Sequence, residues 1–197
     1  IKDAPDTYIG SIELDSNTDW LITENENKQM SMERATFNWV PGFYKCFDEG
    51  IVNCRDHFVR IQQKIEKGET KNVVPVKNIE ITVNKETGVI TMLNDGNGID
   101  VEMHPEYKIW IPEMIFGHLR TGTNYDKSEK KIVGGKNGFG FKLVLIYSKW
   151  GEIETVDHIR KKKYTQRFEN NLDTICKPKI KNLKGKVKPY TKVSWLP

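Results

Sequence analysis

Pro41-Gly42-Phe43-Tyr44-Lys45-Cys46-Phe47-Asp48-Glu49-Gly50-Ile51-Val52-Asn53 is the stretch on which the reading of this chain turns. Pro is well suited to the first position of a helix, where its missing N–H is not needed. Apolar residues then recur at Phe43, Phe47, Ile51, Cys54, Phe58 and Ile61, with spacings of four, four, three, four and three. That period predicts a helix, ending near Lys67-Gly68. Glu49 and Asn53 are four apart and Asp56 seven from Glu49, so the three share a face away from most of the apolar stripe. A carboxylate one turn from a carboxamide can serve a cation and a water together: Asn offers Mg²⁺ a neutral oxygen and Glu takes a proton from water. The same spacing also describes an ordinary solvated helix face.

Beyond the helix, Ile79, Ile81 and Val83 alternate with polar neighbours, and Val89-Ile90-Thr91-Met92-Leu93 follows after Asn84–Gly88. This predicts a β-hairpin closing on a turn, Asn94-Asp95-Gly96-Asn97-Gly98. Asn94 there can end a strand or read the edge of a flat ligand such as adenine. Ile111 to Leu119 reads as a short amphipathic helix, and 120–140 as a polar, Gly-rich stretch, long for a loop without function. Within it, Gly134-Gly135-Lys136-Asn137-Gly138-Phe139-Gly140-Phe141-Lys142 opens an apolar helix running to about Tyr147. Its glycines let the backbone approach an anion, or simply make a flexible loop. It is neither a Walker A loop nor G-x-G-x-x-G, since Phe141 and Leu143 occupy the positions those motifs require. The rest reads as a strand meander over Ile153/Thr155, Tyr164–Phe168 and Thr191–Trp195. Before the long helix, Pro5–Ser11 reads as a turn leading into a strand, and 11–40 as a hairpin with its tip at Glu24-Asn25-Glu26-Asn27.

At 197 residues, 37% hydrophobic and 29% charged, the chain has the length and apolar content for one cored domain. Its formal charge of +4 is too small to imply nucleic acid by itself. The dense charge run Arg160-Lys161-Lys162-Lys163 reads as a solvated strand or turn, or as a DNA-facing patch. Leu143–Ile146, the longest aliphatic run, is far short of a membrane span, and no stretch reads as a signal peptide. Three cysteines with no C-x-x-C, and no N-glycosylation sequon, point to a reducing compartment and away from a thiolate zinc site. Four histidines share no spacing, and neither Ser-His-Asp nor Cys-His catalysis has a local signature. The chain opens at Ile1 and stops in a strand-like segment, so it reads as a piece of something larger.

A helix with Glu and Asn, a hairpin ending in N-D-G-N-G, a long polar loop and then G-G-x-N-G-x-G-x-K opening a helix resembles, in that order, the GHKL (Bergerat-fold) ATPases. Pro5–Ser11, Pro41–Glu49, Val52-Asn53, Ile115-Phe116-Gly117, Thr123-Asn124-Tyr125-Asp126 and Gly134–Gly138 resemble in particular the ATPase domain of eukaryotic-type type IIA DNA topoisomerases. The resemblance implies a two-layer α/β sandwich, with a mixed, mostly antiparallel sheet, helices on one face and an ATP lid at about 117–140. It implies ATP and Mg²⁺ as cofactors, with Glu49 as general base and Asn53 as Mg²⁺ ligand. Asn94 would read adenine, and Thr123 and Asn124 would touch ribose and phosphate. Gly134, Gly135, Lys136, Asn137, Gly138, Phe139 and Gly140 would form the phosphate loop, with Lys142 near the phosphates.

As partners the resemblance implies DNA and a homodimer, both through the full-length enzyme, with this fragment monomeric and weakly active. The transducer and DNA-cleavage domains would lie outside these residues. The location would be intracellular, either the nucleus or a virus factory or virion. The sequence departs from the family at His57 (usually Asn), Gly122 (a hydroxyl residue), Phe141 (a small residue) and Gly50 (a branched aliphatic). Such divergence, with the Asn/Lys/Ile-rich composition, points to a large DNA virus or an AT-rich genome. Among rivals, a histidine kinase would lack a water-activating Glu, and the MutL and heat-shock chaperone branches differ in the phosphate loop. A nucleotide-gated dimerisation clamp without turnover stays open on sequence alone.

Overall fold

The computed structural model describes residues 1–118 and 140–197, and the chain divides into two compact units, Ile1–Cys46 and Phe47–Pro197. In the first, residues 5–11 differ from expectation. Pro5–Tyr8 form a single helical turn, α1, rather than a plain turn into a strand. Pro at the first helical position and the Ile9 N–H bonded to the Pro5 carbonyl (2.8 Å) stabilise it. The expected hairpin follows as β1 (Asp15–Glu24) and β2 (Met30–Trp39), antiparallel from Asp15↔Trp39 to Glu24↔Met30. Asn25 at its tip accepts the N–H groups of Asn27 (3.0 Å) and Gln29 (2.9 Å) on its side-chain oxygen, an Asx-type turn. Strand alternation places Trp20, Ile22, Met30 and Met32 on one face of this hairpin, all exposed.

The long helix, α2, spans Pro41–Glu66 as its periodicity predicts and runs from the first unit into the second. In the second unit β3 (Ile79–Val83) and β4 (Ile90–Asp95) form the predicted hairpin. The helices α3 (Ile111–Gly117) and α4 (Gly140–Ile146) follow. Then come β5 (Trp150–Asp157), β6 (Lys162–Glu169), the short β7 (Thr174–Ile175) and β8 (Lys179–Asn182), and β9 (Tyr190–Leu196). Among the described residues the sheet order is β3-β4-β9-β5-β6-β7, with β8 also on β6, and every pairing is antiparallel where a mixed sheet was expected.

The register aligns Met92, Val193, Ile153 and Gln166 in one row across the sheet, and Ile90, Trp195, Gly151 and Phe168 in the next. These buried side chains face the helices. Glu113 of α3 accepts a hydrogen bond from Gln166 Nε2 (2.7 Å), and Phe141 of α4 meets the Trp195 ring edge-on at 5.4 Å. The opposite face is the solvated one, so the unit is a two-layer sandwich. No helix among the described residues is long and apolar enough to cross a membrane.

Gly50 and Phe141 meet at the same core residue. A Cβ on Gly50 would fall 2.6 Å from Met92 Sδ and 3.2 Å from the far edge of the Trp195 ring. Phe141 packs edge-on against that same Trp195 and against Phe116 (5.6 Å). Gly50 on α2 and Phe141 on α4 thus both pack against the one Trp195, so the size of each bears on how the same part of the interior is filled.

Candidate functional site

Glu49 and Asn53 lie one turn apart on α2, and α4 begins directly against them. A Cβ on Gly140 would fall 2.6 Å from Glu49 Oε2 and 3.3 Å from Asn53 Nδ2. Any side chain at 140 would push the carboxylate aside, so glycine there is what lets the end of the Gly-rich segment approach Glu49 without displacing it. Asn53 donates its Nδ2 to the Glu49 carbonyl (2.6 Å). That bond fixes which way the amide points and presents Oδ1 as the group for an outside partner.

Lys142 sits in the first turn of α4, only 3% exposed among Phe141, Leu143 and Val144. Burial pushes its ammonium down to about 8.

Asn94 is placed differently from expectation. β4 continues through Asn94 and Asp95, so the turn is confined to Gly96–Gly98. Asn94 pairs in register with Thr191, which pairs with Thr155, putting all three in one row on the helix-facing side of the sheet. Asn94 is 6% exposed and donates its Nδ2 to the Asp95 carbonyl (3.1 Å), again presenting its side-chain oxygen. Thr155 Oγ1 joins Thr191 Oγ1 (3.0 Å) and the Tyr190 carbonyl (3.1 Å), and accepts the Ile99 N–H (2.9 Å). Sequence reading treated Thr155 only as a strand residue; nothing local marks it, because a register spanning some sixty residues brings it level with Asn94.

Asp95 has a separate task. Its Oδ1 accepts the backbone N–H groups of Lys77 (2.7 Å) and Asn78 (2.9 Å), and its Oδ2 the Asn78 amide (2.9 Å). Burial alone would raise its carboxyl; the Asn78 and Lys77 N–H groups outweigh that and hold it below the usual carboxylate range. It is a structural anchor for the segment leading into β3, which leaves Asn94 as the strand-end side chain turned toward the helices.

His57 lies eight residues past Glu49, on the same side of α2. Its ring hydrogen-bonds the Asn97 backbone, while Nε2 is buried without a hydrogen-bond partner. Burial, with the nearby Arg60 charge, pushes the imidazole down to about 4, so it is neutral at pH 7. The basic run 160–163 is largely neutralised or occupied. Arg160 pairs with Asp100 (2.8 Å), Glu102 (2.6 Å) and Asp157 (3.0 Å), Lys163 with Glu154 (2.7 Å), and Lys162 lies over the Trp110 ring. Thr123, Asn124, Gly134, Gly135, Lys136, Asn137, Gly138, Phe139 and nearly all of the expected lid lie outside the described residues.

The donor set suits a magnesium–nucleotide complex. Among the described residues no group of three His, Cys, Asp or Glu could hold a metal by itself. Mg²⁺ ordinarily takes one or two protein oxygens and completes its shell with phosphate and water. One amide oxygen on Asn53, a carboxylate beside it, a glycine that admits a close approach and a buried cation on α4 together fit that description.

No protein-family model matches the chain. It is 45% identical over 200 residues to DNA topoisomerase 2 of Acanthamoeba polyphaga mimivirus, covering 100% of this chain and 15% of that protein. It is 43% identical over 193 residues to DNA topoisomerase 2 of Candida glabrata, covering 98% and 13%. The chain therefore spans about one seventh of the length of these relatives. The crystal structure of the ATPase region of Saccharomyces cerevisiae topoisomerase II superposes with a TM-score of 0.85 at 42% identity, covering 100% of this chain and 48% of that one. Over its whole length, then, the chain is similar to DNA topoisomerase 2 proteins and, in structure, to the ATPase region of the Saccharomyces cerevisiae protein.

Proposed function

We propose that this chain binds ATP with Mg²⁺ and is the ATP-hydrolysing part of a type II DNA topoisomerase, whose full-length form couples nucleotide binding and hydrolysis to DNA strand passage. The observation that carries the proposal is the approach of Gly140 to Glu49 Oε2 and Asn53, which brings the end of the glycine-rich segment to a carboxylate and an amide one helical turn apart. Glu49 holds the attacking water and accepts its proton at a carboxylate oxygen. Asn53 Oδ1 is the protein oxygen for the cation. The Lys142 ammonium sets its charge against the phosphates. Asn94, level with the Thr155 and Thr191 hydroxyls, reads the adenine edge. Bound Mg²⁺ supplies charge neutralisation on the phosphate oxygens. Catalysis is then positioning plus electrostatic stabilisation, as phosphoryl transfer requires.

DNA and a second copy of the full-length protein are the proposed partners, in an intracellular setting. The exposed Trp20, Ile22, Met30 and Met32 give the hairpin an apolar face suited to being covered in such a dimer. The test is Glu49→Gln in the full-length protein. Mg·ATP affinity is expected to stay within about threefold while hydrolysis falls by about 10²–10⁴. Turnover within threefold of the original would show that Glu49 is not the base.

A further inference from the structure

Lys177-Pro178-Lys179-Ile180-Lys181-Asn182-Leu183-Lys184-Gly185-Lys186-Val187-Lys188 holds six lysines and no carboxylate. Over residues 158–192 there are twelve Lys and Arg against two carboxylates, while the remaining residues hold nineteen basic against twenty-five acidic side chains. The modest overall charge of +4 therefore conceals a strongly divided molecule.

The fold turns the β8 part of this charge onto one surface. Ile180 pairs with Tyr164 in the helix-facing row, so its neighbours Lys179 and Lys181 project from the opposite, open face. There, with Lys163, Thr165 and Glu154, they line a shallow depression of 170 Å³. The remaining lysines of the run flank β8 or lie in the β8–β9 loop, and all six are exposed. Glu154, the carboxylate of the depression, is already engaged by Lys163 (2.7 Å), Lys192 (3.4 Å) and the Tyr190 hydroxyl. Among the described residues, none of the six is in an ion pair. Lys181 directly faces Lys163 across the β8–β6 ladder, an arrangement of like charges that weakens a sheet. Apart from the attraction of Lys188 to Asp95, this concentration finds little compensating charge in the fold, and a polyanion laid across it would supply it.

We propose that the open face around β8 and the β8–β9 loop binds the sugar-phosphate backbone of duplex DNA, without reading sequence. Lysine is a compact point charge suited to phosphates. The run has no aromatic residue on which a single-stranded base could stack. Its apolar residues Ile180, Leu183 and Val187 are all at least partly buried, which leaves little to insert into lipid. The argument for this surface uses none of the residues assigned to the nucleotide. The surface gives the DNA proposed above a place to be held on this part of the protein.

The test is fluorescence anisotropy with a labelled, arbitrary 30-base-pair duplex. Each phosphate neutralised contributes about 0.9 to the slope of log affinity against log salt. If all six lysines reach phosphates, affinity falls by roughly 10³ between about 50 and 200 mM salt. For the quadruple variant Lys179→Gln, Lys181→Gln, Lys184→Gln, Lys186→Gln the fall should be only about tenfold. The charge-matched Lys67→Gln, Lys71→Gln, Lys85→Gln, Lys108→Gln should keep the original slope. The loop pair Lys184→Gln, Lys186→Gln should give half the change, which keeps the test open if the quadruple variant does not fold. ATP binding, measured separately, should be unaltered in every variant. An unchanged slope in the β8 variants, an equal loss in the charge-matched control, or anionic vesicles captured by this surface when DNA is not, would each overturn the proposal.

Discussion

Gly140→Ala is the substitution that most directly probes the arrangement of the site. The added Cβ would stand 2.6 Å from Glu49 Oε2, whereas ordinary van der Waals contact begins at 3.4 Å. The carboxylate oxygen must therefore retreat by about 0.8 Å, and Asn53 Nδ2, at 3.3 Å, by a little. Because the obstructing atom is the far end of a flexible side chain, the fold should absorb the change at a cost below about 1 kcal/mol. The chemistry should not, since a misplacement near 1 Å costs on the order of 10²-fold in rate. The assay is single-turnover ATP hydrolysis in the full-length protein, alongside equilibrium binding of a non-hydrolysable ATP analogue and thermal unfolding. Hydrolysis should fall by about 10²-fold with analogue affinity within about threefold. Adding Glu49→Gln should then slow it little further, because both changes disable one group. Turnover within threefold of the original, with unfolding unchanged, would refute the reasoning: either Glu49 is not the base or its position relative to α4 does not matter.

Asn53→Ala should weaken nucleotide binding chiefly when Mg²⁺ is present, since the amide offers a neutral oxygen one turn from Glu49; equal losses with Mg²⁺ and with a chelator would count against a ligand role. Lys142→Ala should cost far more in ATP affinity than in adenosine affinity, as seen by calorimetry. In the unsubstituted chain the ammonium, pushed down to about 8, should make ATP affinity decline as pH rises above that value. His57 carries an acid-lability prediction. Its imidazole is pushed down from 6.5 to about 4 in the fold, so acid charges it more readily in the unfolded chain. Its contribution is intact above pH 6.5 and declines as pH falls toward 4, by up to about 1.4 kcal/mol per pH unit. Denaturant titrations of His57→Asn should show less loss of stability over that window, and an identical pH dependence would remove His57 as the cause.

Local pattern was enough for much of the architecture. The apolar recurrence from Phe43 to Ile61 specifies α2, and alternation with turn residues between specifies the β1–β2 and β3–β4 hairpins. These signals are legible because each element's burial period is written in adjacent residues. The Glu49/Asn53 pair was legible for the same reason: one helical turn is a local distance. The motif order supplied the family resemblance, which the 45% identity to the mimiviral relative bears out.

Other features depended on which strands became neighbours. Asn94 belongs to β4 rather than to a turn, and only the β4–β9–β5 register makes it level with Thr191 and Thr155. The role of Asp95 as an anchor needs Lys77 and Asn78 folded back onto it. The run 160–163 was conspicuous as charge but is largely spent on Asp100, Glu102, Asp157 and Glu154, whereas the lysines of 177–188 remain without ion pairs among the described residues. A windowed charge count would have found that second run; only the pairing of Ile180 with Tyr164 decides that Lys179 and Lys181 face outward. The contact between Gly140 and Glu49 joins residues ninety-one positions apart. Sequence by itself determined which side chains could do chemistry and on which local face they stand, because helical and strand periods are short. Tertiary structure decided which of them meet, because register and helix-on-sheet packing are set by the burial of the whole core, around Trp195 and Met92, and by no single segment.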